Sequence, residues 1–200
     1  MRSGSNLVRF GRAAILSALL FSGMGVEAAT VAFNGSVKGL GFGGPSAACA
    51  PLPFRSLIPA DTTAGTSSLG DFTYTHSLCL AGLPGPSSGT FTFFFSGGTL
   101  SGTLDGGATF SGTPGVALVA WDYTILGGTG KFTGASGGFH GAGTADGRLG
   151  PPTRLAIDFE GSFDAPVVPE PSTWALLILG FGAVGASVRK RRQVRLSVPA

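Results

Sequence analysis

Apolar and polar residues alternate along most of the chain. Phe72, Tyr74 and His76 alternate with Thr73, Thr75 and Ser77. Phe91, Phe93 and Phe95 alternate with Thr92, Phe94 and Ser96, and Leu100, Gly102 and Leu104 with Ser101 and Thr103. Ala117, Val119, Trp121, Tyr123 and Ile125 form one face of a long segment. Leu155, Ile157, Phe159 and Phe163 alternate with Arg154, Ala156, Asp158, Glu160 and Ser162. Period two with aromatic and β-branched residues predicts strands with one buried face and one wet, hydroxyl-rich face. Turn signals fall at Ser96-Gly97-Gly98, Asp105-Gly106-Gly107, Pro114-Gly115, Gly127-Gly128-Thr129-Gly130 and Asp146-Gly147. Short gaps imply antiparallel neighbours, so the pattern predicts an all-β domain of about seven or eight strands. The in-strand glycines favour a single antiparallel barrel, with a β-sandwich as the alternative. Gly39 to Ala64, rich in Pro and Gly with weak periodicity, reads as an irregular loop.

The two ends break this pattern. Arg2, Arg9 and Arg12 precede an apolar run from Ala13 to Val26, and Val26-Glu27-Ala28 supplies small residues at the spacing signal peptidase needs. Residues 1–28 therefore read as a secretory signal peptide cleaved after Ala28. At the other end Pro169-Glu170-Pro171 and Trp174 lead into an apolar run over 173–188, closed by Arg189-Lys190-Arg191-Arg192. That run is 16 residues long. A full span needs roughly 20, so it reads as a marginal transmembrane segment that crosses with bilayer thinning or snorkelling flanks. The basic stop would keep residues 193–200 as a cytoplasmic tail.

The order Pro-Glu-Pro, Trp, apolar helix and basic cluster over residues 167–192 resembles the PEP-CTERM sorting signal of Gram-negative bacteria. The resemblance implies recognition and cleavage by an exosortase, a membrane cysteine protease. It also implies an inner-membrane precursor and delivery to the cell surface or exopolysaccharide matrix. The extension Gln193 to Ala200 is slightly long for such a tag.

Charge changes the picture once it is divided. The chain carries a formal net charge of +3. The body, residues 29–166, holds Lys38, Arg55, Lys131, Arg148 and Arg154 against Asp61, Asp71, Asp105, Asp122, Asp146, Asp158, Glu160 and Asp164, a net of −3. The excess of cations lies wholly in the end segments, and a nucleic-acid partner, which needs a basic patch on the folded domain, is not expected.

Candidate chemistry is sparse. Gly39-Leu40-Gly41-Phe42-Gly43-Gly44 has the letters of a dinucleotide fingerprint, but Pro45 stands where its helix should start. Cys49 and Cys79 are the only cysteines; an exported chain favours one disulfide between them, and two free or intermolecularly paired thiols are the alternative. His76 shares a face with Phe72 and Tyr74, so it reads as a structural histidine or, alternatively, a pocket ligand contact. His140 reads as exposed. No catalytic constellation, metal cluster or cofactor motif emerges. The stretch Tyr123 to Gly137, with Gly-Gly-Thr-Gly-Lys-Phe and Gly-Ala-Ser-Gly, resembles the hairpin of dirigent and allene-oxide-cyclase-like barrels.

The expected function is that of an exported surface or matrix protein with a structural or adhesive role. The alternative is a binding module that takes a carbohydrate, a small apolar ligand or an ice surface, through a barrel mouth or a Thr-rich face (Thr73, Thr75, Thr92, Thr99, Thr103). A cyclase-like enzyme is the weakest reading.

Overall fold

The computed structural model describes residues 28–166 and 171–195. The signal peptide before Ala28, Pro169, Glu170 and the last five residues of the tail lie outside the described residues. Ten strands form one sheet: β1 (Ala28–Ala32), β2 (Gly35–Pro45), β3 (Phe54–Ile58), β4 (Thr63–Ser67), β5 (Gly70–Leu80), β6 (Gly85–Phe95), β7 (Gly98–Phe110), β8 (Val116–Gly128), β9 (Ser136–Asp146) and β10 (Thr153–Pro166). One helix, α1 (Pro171–Arg195), follows.

The sheet closes on itself as an antiparallel barrel of eight strand positions. Strands β5 to β10 are neighbours in sequence and in space. The first position is shared end to end by β1 and β2, which pair successive stretches of β10: Ala28 faces Pro166, and Gly41 faces Thr153. The second is shared by β3 and β4, both set between β2 and β5. Closure leaves no long free edge, which is the usual hazard of a sheet this size.

The expectation of an irregular loop over 39–64 is corrected here. That segment holds the end of β2, all of β3, the start of β4 and two single 3-10 turns, Ala47–Cys49 and Ala60–Thr62. Its periodicity is weak because the end of β2 is mostly glycine and β3 and β4 are only five residues each. Asp105-Gly106-Gly107 is likewise inside β7 and not a turn. Gly106 faces Trp121 on β8, and a Cβ there would meet Trp121 Cδ1 at 2.9 Å. Nearer still is the backbone oxygen of Ala120, so the glycine lets β7 close on the β8 backbone beside the indole.

Inward positions are large at one pole and small at the other. Down β8 they run Ile125, Tyr123, Trp121, Val119, Ala117. On β6 they run Phe95, Phe93, Phe91, Gly89, Ser87, Gly85. The bulky pole is a packed aromatic plug. Phe33, fully buried, lies 4.7–6.5 Å by ring centroid from Phe72, Phe93, Phe139, Phe159 and Phe163. Phe132, from the turn between β8 and β9, seals this end against Phe95 at 5.0 Å.

α1 forms where the sorting segment was expected, with Pro171 at its first position, where a missing N–H costs nothing. Its described side chains from Ala175 to Ala186 are exposed. No helix among the described residues is long and apolar enough to cross a membrane. This corrects the transmembrane expectation for 173–188. Gly180, Gly182 and Gly185 dilute the apolar run, and at 1.5 Å per residue it reaches only about 24 Å of a core roughly 30 Å thick.

Candidate binding site

The small-residue pole of the barrel opens into a cavity of about 420 Å³. Gly41 and Gly43 of β2, Ser56 of β3, Gly85 and Ser87 of β6, Ala108 of β7, Ala117 of β8 and Ala145 of β9 leave the space. Leu78, Val119, Trp121 and Leu155 give it apolar walls, and Phe54, Leu80 and Leu83 form its rim. This size and lining suit a small, mostly apolar molecule. The glycines of the rejected dinucleotide fingerprint thus lie on a strand, at the lip of a cup.

His76 stands at the floor of the cavity and is 2% exposed. Its Nδ1 is 3.0 Å from the Tyr74 hydroxyl, which is 3.1 Å from the Tyr123 hydroxyl. Its Nε2 is buried with no hydrogen-bond partner. Burial lowers its pKa to about 3, so the imidazole is neutral at any ordinary pH. Burial also raises both tyrosines above their usual range, with their mutual contact adding to the rise of Tyr74 and opposing that of Tyr123. Beside the histidine, the Trp121 indole N–H donates to Ser87 Oγ at 2.8 Å.

Tyr74 is fixed by the break between β3 and β4. Those strands leave its backbone outside their ladders with β5. The Thr63 hydroxyl fills the gap: it accepts from Tyr74 N–H at 2.7 Å and lies 3.0 Å from Tyr74 O. Cys49 and Cys79 are bonded, with Cα atoms 5.3 Å apart. The disulfide ties the 3-10 turn before β3 to the mouth end of β5. Arg55 lines the mouth by its backbone strand, but its guanidinium donates to Ser77 Oγ from Nε at 3.2 Å and Nη2 at 3.0 Å.

Other candidates lie elsewhere. His140 is on the outer wall, 2.9 Å from Asp122 Oδ1. Asp158, Glu160 and Arg154 are exposed. Among the described residues no group of His, Cys, Asp or Glu is gathered to hold a metal. Thr73, Thr75, Thr92, Thr99 and Thr103 share the convex outer wall, where Thr75 faces Thr92, Thr92 faces Ser101, and Thr90 faces Thr103. Of the sorting residues, Pro171 opens α1, Arg189 is exposed on it, and the side chains of Trp174, Lys190, Arg191 and Arg192 lie outside the described residues.

Sequence reasoning put His76 on one face with Tyr74 but missed Tyr123, Ser87 and Trp121 as its company. The available signal was the fall in side-chain size along each inward row.

Residues 167–192 match the PEP-CTERM protein-sorting motif. No curated protein and no solved structure matches the chain. The likeness of the body to dirigent and allene-oxide-cyclase-like barrels is not confirmed by these comparisons. The sorting motif implies an exported protein, targeted to an exosortase and passing through a membrane-anchored precursor.

Proposed function

We propose that this chain is an exosortase-sorted surface protein whose barrel mouth binds a small, mostly apolar molecule. The observation that carries the reading is the cavity itself. Large side chains would have filled it, yet the mouth positions of six strands hold Gly, Ala or Ser. The cavity is lined by no carboxylate or thiol, and its one histidine is held neutral. This supports binding over catalysis. In this reading signal peptidase removes residues 1–28, and the exosortase acts near Pro169-Glu170-Pro171. The released domain then works at the surface of a Gram-negative cell or in its exopolysaccharide matrix.

The test is direct titration of the full chain with a neutral apolar dye such as Nile red. Saturable binding is expected, and Ala117→Phe together with Ala145→Phe should abolish it while the circular dichroism spectrum is kept. Equal binding by the filled variant would refute a mouth site. For sorting, replacing Pro169-Glu170-Pro171 by alanines should leave a membrane-retained precursor; unchanged release would count against the exosortase.

A structural or adhesive role is the second reading, favoured by the uncharged hydroxyl rows on β5, β6 and β7. On a curved wall they suit a flexible hydrated polysaccharide better than a flat ice plane. Loss of exopolysaccharide co-sedimentation on changing Thr90, Thr92 and Thr103 to valine would support it.

A further inference from the structure

We infer that the mouth selects neutral ligands carrying a hydrogen-bond acceptor, such as a ketone or ether oxygen, which His76 Nε2–H and the Ser87 hydroxyl receive. This rests on the mouth being a binding site and names the class of molecule it takes.

The argument is one of proton accounting. Two buried tyrosine hydroxyls carry one hydrogen each, and each hydrogen needs an acceptor. Tyr123 and Tyr74 touch each other, and Tyr74 touches His76 Nδ1. If Nδ1 carried the imidazole hydrogen, Tyr74 would accept from it and donate to Tyr123, leaving the Tyr123 hydrogen with no acceptor. Either order leaves one of the three hydrogens unmatched. When Tyr123 donates to Tyr74 and Tyr74 to Nδ1, both hydroxyl hydrogens are used and the unmatched one is on the histidine that lines the cavity, where a ligand can receive it. The imidazole is neutral, so its own hydrogen then sits on Nε2. That atom is buried without a partner at the floor of the cavity. An N–H buried without an acceptor is costly, and a ligand oxygen removes the cost.

Ser87 adds a second donor. Its Oγ accepts from Trp121, and its own hydrogen stays free to donate. The His76 and Trp121 rings are 5.8 Å apart, so Trp121 stands between the two donors in the same cavity. Anions are excluded by the same inventory. Arg55 is the one charged residue among those lining the mouth, and its guanidinium donates to Ser77, which alternates with the inward His76 and Leu78, so the charge lies on the outer side of the wall. A carboxylate entering this cavity would lose its water and meet no counter-charge.

The experiment uses the full chain and three probes built on one rigid ring frame: naphthalene, 2-acetylnaphthalene and 2-naphthoate. Binding is read by calorimetry or by displacement of Nile red. The ring nitrogens are read by ¹⁵N NMR after labelling the two histidines. We expect His76 to show the Nε2–H form, 2-acetylnaphthalene to bind about tenfold more tightly than naphthalene, and 2-naphthoate to bind more weakly than either. His76→Phe should erase the preference for the ketone but keep naphthalene binding, and the native ¹⁵N spectrum answers independently of whether that variant folds. An Nδ1–H tautomer, equal affinity for naphthalene and the ketone, or tight naphthoate binding would each overturn the donor assignment and leave the mouth as a binding site. No binding by any of the three would overturn both.

Discussion

His76 ties the fold to pH. Its pKa falls from an ordinary 6.5 to about 3 on folding because burial disfavours the charged ring. The unfolded chain therefore binds a proton that the folded one refuses between those values. Stability from this residue is whole above pH 6.5 and is lost as pH falls toward 3, at up to about 1.4 kcal/mol per pH unit. Denaturant melts at pH 7 and 5 should show the loss, and His76→Phe should flatten it over that window. Gly141 makes a different point. Its Cβ would meet Tyr123 Cε2 at 2.7 Å and Phe159 Cδ1 at 2.9 Å. Those rings pack edge-on at 5.5 Å. Gly141→Ala should cost about 1–3 kcal/mol by overpacking, seen as a lower urea midpoint with an unchanged slope.

Among the elements, β3 and the turn before it carry the mouth. They are short, and the disulfide holds them to β5. Changing both Cys49 and Cys79 to serine opens a loop with a sequence separation of 30. The chain-entropy model values that at about 3–4 kcal/mol. Thermal unfolding should report the loss, and dye binding should weaken because Phe54 at the rim is no longer fixed. The long strands β5, β6, β7, β8 and β10 were readable from the sequence because each presents an inward row of apolar residues that no helix period fits; β9 was not, because its inward row is Phe139 followed by the small Gly141, Gly143 and Ala145. β3 and β4 were not, since five residues give too few alternations to stand out among Gly and Pro. Asp105-Gly106-Gly107 misled for a related reason: an in-strand glycine that lets β7 close on β8 has the same letters as a turn. His76 was placed inside by its neighbours Phe72 and Tyr74. Its partner Tyr123 lies 49 residues away in sequence, and only closure of the barrel brings the two together.

At the scale of the whole molecule, removal of both end segments would reverse the charge. The full chain has a pI near 9.2. A product trimmed to 29–166 carries a net of −3. Isoelectric focusing of the released protein should find an acidic species, and a basic one would mean that an end segment had been kept. The domain also has a polarity that its strand order imposes. Ala28 pairs with Pro166, so chain entry and exit are side by side. Both are at the aromatic pole, because β10 starts beside the cavity at Thr153 and ends at Pro166. In the proposed reading, a precursor still tethered by its tail is a goblet held by its foot, with the bowl turned from the point of attachment. Cargo could be taken up before the stem is cut, and cutting it would leave the bowl undisturbed.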